Sequence, residues 1–228
     1  MNHAISVIIP VWNEPSLIND TVRTIFALPY EGDLEVIAVD GSAEGETIRA
    51  IRDKRVRTLV SERGRSRQMN RGAYSARGDV LLFLHADTEL PPKALKEISR
   101  LMAGGEVMAG AFDLEIQSER PVFRLIEHAA SLRSRITRIP YGDQAIFIRK
   151  DYFHAIGDFR EIPLMEDVEL MRRIRKAGGK ISIIPEKVKT SSRRWEKEGV
   201  LFCTLRNWAL ITLYLLGVPP ERLARFYR

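Results

Sequence analysis

The stretch Gly78-Asp79-Val80-Leu81-Leu82-Phe83-Leu84-His85-Ala86-Asp87-Thr88-Glu89-Leu90-Pro91-Pro92 constrains the fold more than any other. Its apolar run, Val80 to Leu84, is short enough for a strand buried on both faces, and the two prolines forbid its continuation. The strand therefore delivers His85 and Asp87 beyond its C-terminal edge. Ligands of open parallel α/β sheets bind at that edge, so a lone carboxylate there is a candidate ligand for a metal or a phosphate-bound metal. The competing reading is that Asp87 only caps the helix beginning near Pro91.

A chain of 228 residues that is 45% hydrophobic can bury a full core as one large domain or two closely joined halves. Lysine and arginine total 36 against 30 acids, a net charge of +6, which suits phosphate-bearing partners or an anionic membrane surface. Charges of both signs are mixed along the chain, without zinc-ligand spacing, an RNA-binding aromatic signature or a long basic block, so nucleic acid is not an expected partner. The single cysteine, Cys203, allows no internal disulfide and fits a reducing cytoplasm. No basic segment precedes the apolar run Ala4 to Trp12, so Met1 is read as the start of the folded protein.

The β-branched run Ile5 to Pro10 predicts a first buried strand, followed by the loop Val11-Trp12-Asn13-Glu14 and a helix opening at Pro15 or Ser16. Ile18, Val22, Ile25 and Phe26 recur along that helix, which ends near Pro29. A second strand, Leu34 to Asp40, runs into Gly41-Ser42 and a helix around Thr47 to Arg52. A strand ending in an acid before a glycine turn is either a nucleotide-pocket edge or an ordinary turn. Arg57 to Val60 form a third strand, and an arginine-rich segment then becomes a helix on which Met69, Ala73 and Ala76 share a face. Arginine there could clasp a diphosphate or simply be solvated. With a helix over Lys93 to Met102, the order β-α-β-α-β-α-β implies a mainly parallel sheet with right-handed crossovers.

The rhythm changes after Gly104-Gly105. Val107 to Ile116 reads as a long strand of mixed or antiparallel edge character, and a helix from Val122 to Leu132 precedes a basic connection, Arg133 to Arg138. Tyr141-Gly142-Asp143-Gln144 leads into a strand over Ala145 to Ile148 and a short helix around Asp151 to Ile156. Glu166 and Asp167 open a helix that continues to Lys176, where acids suit the N-terminal dipole. Ile181 to Ile184 form the last strand. An apolar helix over Val200 to Leu216 falls short of the roughly 20 residues a bilayer requires. The expectation is a packed or dimer-forming helix, with a membrane-surface helix as the alternative, since Trp208 and Tyr214 suit an interface and Arg222, Arg225 and Arg228 follow.

The ordered series Ser6-Val7-Ile8-Ile9-Pro10-Val11-Trp12-Asn13-Glu14, Asp40-Gly41-Ser42, Arg67-Gln68-Met69-Asn70-Arg71-Gly72, Leu84-His85-Ala86-Asp87-Thr88, Glu166-Asp167 and Arg193-Arg194-Trp195 resembles a family-2 glycosyltransferase of the GT-A fold over residues 4–195. The portion from Gly142-Asp143-Gln144 to Arg194-Trp195 is similar to a short bacterial subfamily, the radical-SAM/selenodomain-associated glycosyltransferases. The resemblance implies a single GT-A-like domain over 1–228, with a donor half (1–105), an acceptor and catalytic half (106–195) and a C-terminal helical extension (196–228).

The resemblance also assigns roles. Pro10, Trp12 and Glu14 would line the nucleobase pocket, with Asp40, Gly41 and Ser42 at base or ribose and Arg67 near the nucleotide. His85 and Asp87 stand at the family's Asp-x-Asp motif, which holds Mn2+ or Mg2+ on the donor diphosphate. Asp167, beside Glu166, would supply the catalytic base of an inverting transfer. Asp143, Gln144, Arg193, Arg194 and Trp195 would face the acceptor. Two departures matter: His85 replaces the first carboxylate, leaving Asp87 to hold metal only together with nucleotide, and the glutamine preceding the Arg-Trp pair in processive synthases is missing.

The implied chemistry is displacement at the anomeric carbon of a nucleotide-diphosphate sugar, onto an acceptor hydroxyl that is either free or lipid-linked. The expected setting is the cytoplasm or the cytoplasmic face of the membrane, with a homodimer or peripheral membrane contact through residues 200–218. A nucleotidyltransferase acting on a sugar phosphate would share the sheet but carry a glycine-rich basic loop in place of Val11 to Glu14. A non-catalytic membrane-associated binding protein would not depend on Asp87 or Asp167.

Overall fold

The computed structural model describes residues 2–227. Met1, read above as the start of the folded protein, and Arg228 lie outside the described residues. The first half runs β1 (Ile5–Val11), α1 (Ile18–Phe26), β2 (Leu34–Asp40), α2 (Glu46–Arg49), β3 (Val56–Val60), α3 (Arg65–Ser75), β4 (Val80–Phe83), β5 (Thr88–Glu89) and α4 (Ala94–Ala103). The second half runs β6 (Val107–Gln117), α5 (Pro121–Thr137), β7 (Phe147–Arg149), α6 (Lys150–Ala155), α7 (Glu166–Lys176), β8 (Lys180–Ser191), α8 (Arg193–Glu198), α9 (Val200–Leu215) and α10 (Pro220–Leu223). One 8-stranded sheet runs through both halves in the order β3-β2-β1-β4-β7-β6-β8-β5.

β1 pairs in parallel with β2 and β4, and β2 with β3, as the alternating β-α order requires. The opposite strand direction enters at β7, which is antiparallel to both β4 and β6. Successive residues of β4 alternate between the two sides of the sheet. Val80, Leu82 and Leu84 join Ile18, Val22, Leu95 and Ile98 in one core layer, while Leu81 and Phe83 join Met69, Phe153, Leu170 and Ile174 in the other. Burial on both faces is thus the packing reason for the unbroken apolar run. Gly72 lets α3 approach the sheet, since a Cβ there would lie 2.5 Å from Ile8 Cγ2.

Several expectations require correction. β6 is an interior strand, antiparallel to β7 and parallel to β8, so its mixed character stands but it is no edge. Its tail alternates because Phe112, Leu114 and Ile116 face one core layer while Asp113, Glu115 and Gln117 face away from it. Arg133 to Thr137 continue α5 instead of connecting it, because Arg135 pairs with Asp113 of β6 and the Ser134 hydroxyl donates back to the Ala130 carbonyl at 3.1 Å. The last strand extends to Ser191, far beyond Ile184. Pro185 lies where the β6 register jumps from Phe112↔Ile184 to Asp113↔Lys187, and that irregularity absorbs a residue with no N–H to donate. Thr88–Glu89, where no strand is expected, pairs with β8 and fixes the segment after β4 against the far side of the sheet.

The C-terminal helix is not packed all round. Among its described side chains only Cys203 and Leu210 are buried. No helix among the described residues is long and apolar enough to cross a membrane.

Candidate functional site

The C-terminal ends of β1, β2 and β4 converge on a cleft, and its rim is built by side chains that bind their own loops. Asp40 is fully buried: Oδ1 accepts from Ser42 N at 2.9 Å, and Oδ2 from Thr47 N at 3.1 Å and Ile48 N at 3.3 Å. Its carboxylate therefore organises the turn into α2. Ser42 Oγ accepts from Gly45 N at 3.0 Å, closing the same turn. Gly41 leaves room for Gln68, whose Nε2 donates to the Val11 and Val39 carbonyls at 2.7 and 2.8 Å. A Cβ at Gly41 would stand 2.9 Å from Gln68 Oε1. Pro10 is half-buried at the end of β1. Trp12 beyond it is exposed, with the Arg63 guanidinium 3.8 Å above its ring, which makes an open stacking shelf.

A cavity of about 240 Å³ lies beside this rim, lined on its polar wall by Arg65, His85, Asp87, Asp143, Glu166 and Asp167. Asp167 sits in the first turn of α7. Its Oδ1 accepts from Val168 N at 2.7 Å and its Oδ2 from Gly142 N at 2.6 Å. The absence of a side chain at Gly142 is what admits these groups together, since a Cβ there would lie 3.2 Å from His85 Nε2 and 3.4 Å from Asp167 Oδ2. Glu166 is buried, with Arg65 Nη1 3.5 Å from its Oε1.

The electrostatics of the cavity are governed first by burial, with carboxylates and arginines pulling in opposite directions on top of it. Burial pushes Asp143 up to about 6 against the pull of Arg133, and Asp167 and Asp87 push it the same way. Burial also raises Glu166 despite Arg65, and Glu14 through burial and then Asp87. His85 is driven down to about 3 by burial and by Arg65, so its ring is neutral at physiological pH and can accept or donate one hydrogen bond at each nitrogen. Arg133, stacked 3.2 Å over the Tyr141 ring, is lowered to about 10 by burial.

A divalent cation fits this donor set in one way. Among the described residues no group of three or more His, Cys, Asp or Glu side chains is arranged to hold a metal unaided. The carboxyls near Asp87 are raised first by burial, with Asp87 pushing Glu14 and Asp143 the same way, so a cation there would favour their ionised forms, and a diphosphate could bring the remaining oxygen ligands.

The other sequence-predicted residues divide between cavity and scaffold. Arg67 lies outside, paired with Glu62 and, at 3.0 Å, with Glu161, whereas Arg65 turns into the cavity. Helical spacing carries the signal that separates them: Arg65 shares a face with buried Met69 and Gly72, and Arg67 with exposed Arg71. Gln144 is fully buried and fully used. It donates to the Phe112 carbonyl at 2.8 Å and Ser134 Oγ at 3.0 Å, and accepts from Arg133 Nη2 at 3.1 Å and Tyr141 N at 3.2 Å. It holds the loop that presents Gly142 and Asp143.

Arg193 is exposed, 4.0 Å from Glu14. Arg194 lines the cavity, donating to Glu198 at 3.2 Å and lying 3.9 Å over the Tyr227 ring. Trp195 also lines it, packed edge-on to Phe123 at 6.0 Å, and its buried Nε1 has no partner among the described residues. The wall opposite the carboxylates is made by α9, through Cys203, Asn207, Leu210 and Ile211. Sequence reasoning missed Arg65, Arg133 and this helical wall.

The family model described as "Glycosyl transferase family 2" matches residues 6–162, more than half of the chain. The chain belongs to that family. Among curated relatives, an undecaprenyl-phosphate 4-deoxy-4-formamido-L-arabinose transferase of Pseudomonas fluorescens is 31% identical over 174 residues, 70% of this chain and 50% of the relative. Glycosyltransferase AglD of Haloferax volcanii is 26% identical over 203 residues, 79% of this chain and 32% of the relative. The family-2 chain thus spans half or less of the length of these relatives. Among solved structures, the mannosyltransferase PcManGT from Pyrobaculum calidifontis, determined in complex with GDP-Man and Mn2+, superposes with a TM-score of 0.66 at 21% identity, covering 83% of this chain and 57% of that one. The fold is therefore GT-A-like, a mixed and mainly parallel sheet flanked by helices, as the motif order implied.

Proposed function

We propose that this family-2 chain transfers a sugar from a nucleotide-diphosphate sugar to an acceptor hydroxyl with inversion, using Asp167 as general base. The observation that carries the reading is the position of Asp167: at the N-terminus of α7, on the wall of the cavity that Asp87 also lines, and oriented by backbone N–H groups at both oxygens. Each oxygen keeps a second lone pair for the acceptor's proton. In a single displacement the acceptor oxygen bonds to the anomeric carbon as the bond to the diphosphate oxygen breaks. Its proton goes to Asp167, and the electron pair leaves with the diphosphate.

Asp87 would hold Mn2+ or Mg2+ together with two diphosphate oxygens, and that cation would neutralise the leaving group. Arg65, already in the cavity, adds positive charge beside it. Trp12 with Arg63 offers the base a stacking surface, near Pro10, Glu14 and the Asp40-Gly41-Ser42 turn. The acceptor enters from the side of Arg194 and Trp195, where Trp195 Nε1 and Asn207 Oδ1 are buried without partners among the described residues and available to polar groups of a ligand. A lipid-linked acceptor suits the apolar portion of that wall and the substrate for which the Pseudomonas fluorescens relative is named. The similarity of Gly142 to Trp195 to the short bacterial radical-SAM/selenodomain-associated subfamily supports placing the chain there. In this reading 1–105 binds donor, 106–195 binds acceptor and 196–228 closes the cavity, on the cytoplasmic side of the cell.

The test is a thermal-shift panel of nucleoside diphosphates and sugar nucleotides, each with and without Mn2+ or Mg2+. One nucleotide should stabilise the protein, more with metal than without. Asp167→Asn should abolish transfer while keeping that stabilisation, and turnover like wild type would remove Asp167 from the mechanism.

A further inference from the structure

Two helices of the second half are built inside out. In α5 the side chains turned to the protein are largely polar: Glu127 accepts from Ile116 N at 2.8 Å, Ser131 from Leu114 N at 3.2 Å, and Ser134 from the Gln144 amide. They complete backbone and side-chain hydrogen bonds along β6. The outward residues are Val122, Leu125, Leu132 and Ile136, spaced as one helical face, with Leu125 and Ile136 71% and 72% exposed. α9 repeats the arrangement. Its charged and amide side chains, Arg206 and Asn207, turn inward with Cys203, and Arg206 reaches Glu198 at 2.5 Å. Leu201, Phe202, Leu205, Trp208, Leu213 and Leu216 face solvent, Trp208 at 59% and Leu216 at 77% exposure.

A soluble surface helix has the reverse polarity, so these faces are made for an apolar medium. α5 meets the segment that leads into α9: Phe123 packs edge-on to Trp195 of α8 at 6.0 Å, and Val200, the first residue of α9, packs on the same core layer as Ile126 and Ala130 of α5. Their charge selects the medium. The only acid in either helix is Glu127, which is buried; it is met by Arg124 at 3.0 Å and Lys187 at 3.7 Å, while Arg135 pairs with Asp113 of β6. Three half-exposed cations thus answer two buried acids along α5 and leave a positive surplus beside exposed His128. Lys197 before α9 and Arg222 and Arg225 after it are exposed as well, against Glu196 and Glu221. A second copy of the chain pairing through α5 would bring two such positive surpluses together, with no exposed acid on either helix to answer them. At 16 residues, α9 can lie on a bilayer and cannot cross it.

We infer that the outward faces of α5 and α9 form a docking surface for an anionic phospholipid bilayer, with the apolar residues entering the headgroup boundary and the surplus positive charge beside them, Lys197, Arg222 and Arg225 included, meeting the lipid charge. The inner face of α9 walls the cavity, so docking sets that cavity beside the bilayer. The inference goes beyond the transfer chemistry and is tested without it.

The experiment is flotation of the full chain with vesicles of phosphatidylcholine alone and of phosphatidylcholine with phosphatidylglycerol. Wild type should float with the anionic vesicles, less so in high salt and much less with phosphatidylcholine alone. Leu205→Glu with Trp208→Glu, and separately Leu125→Glu with Ile136→Glu, should each reduce binding about tenfold or more. All four positions are exposed, and unchanged circular dichroism would verify that each pair still folds. A wild type that stays with the buffer overturns the inference. So does undiminished binding by both variant pairs, or a dimer in light scattering that Trp208→Glu dissolves while vesicles remain unbound.

Discussion

The Gly142 amide donates to Asp167 Oδ2 at 2.6 Å, joining the loop before β7 to the first turn of α7 across the cavity wall. Asp167 is thereby aimed by an element remote in sequence, and the aim depends on Gly142 having no side chain. Gly142→Ala would place a methyl 3.2 Å from His85 Nε2 and 3.4 Å from Asp167 Oδ2, tight enough to shift one of them. Steady-state kinetics should show kcat reduced by about tenfold or more with the donor KM little changed, because misplacing a base by a fraction of an ångström acts on the transition state. An unchanged kcat would separate this contact from the chemistry.

Arg65 and Arg67, two residues apart, should behave oppositely. Arg65 lies in the cavity against Glu166, and its charge also acts on His85 and Asp143. Arg65→Gln should lower kcat/KM by about 10²-fold, the scale of losing one electrostatic contact to a leaving group. Arg67→Gln, exposed between Glu62 and Glu161, should leave kcat/KM within about twofold and stability within about 1 kcal/mol. The reverse ranking would return the nucleotide to Arg67.

Asp143 sets a pH dependence. Burial lifts its carboxyl to about 6, above the unfolded value of about 3.9. The folded protein therefore holds the proton between those values and the unfolded chain does not, so this group's contribution to stability falls as pH rises through about 4 to 6 and stays unfavourable above. Asp143→Asn should stabilise the protein at pH 7.5 by on the order of 2 kcal/mol, an advantage that vanishes near pH 4. Urea unfolding of both proteins across that range measures it, and a gain independent of pH would assign the effect to packing.

Where local pattern and tertiary demand agree, the sequence was legible to the residue. Leu34–Asp40 and Glu166–Lys176 stand where expected, the first an apolar run ended by its acid, the second an acidic start closed by glycines. Illegibility followed two causes. Pro185 stops an apolar run in sequence, but a register irregularity against β6 lets β8 continue through it. Gln144 and Asp40 have the residue types of a binding site, yet every polar atom of their side chains is engaged by the loops around them, a use that only the tertiary partners Phe112, Ser134 and Thr47 disclose. The outward apolar face of α9 was legible as composition and not as direction, since its periodicity alone fits a buried stripe equally well.

His85 offers the sharpest test of how a cation is held. Under the proposed Asp-x-Asp role its ring would stand where a carboxylate is usual beside Asp87, and it is neutral at physiological pH, so it adds no negative charge to the position. Asp87 alone is a weak site, and Mn2+ affinity should be slight without nucleotide and rise by orders of magnitude once a nucleoside diphosphate supplies further oxygens. His85→Asp should convert that dependence into nucleotide-free binding, read by calorimetric titration of Mn2+ into the apo protein. The same substitution adds a fifth carboxylate to Asp87, Asp143, Glu166 and Asp167, so the metal-free variant should melt lower than wild type and recover when Mn2+ is added. Asp87→Asn gives the control, losing the metal-dependent part of nucleotide stabilisation and keeping the base-stacking part. If wild type binds Mn2+ tightly without nucleotide, or Asp87→Asn retains the metal effect, the ligand set lies elsewhere than Asp87.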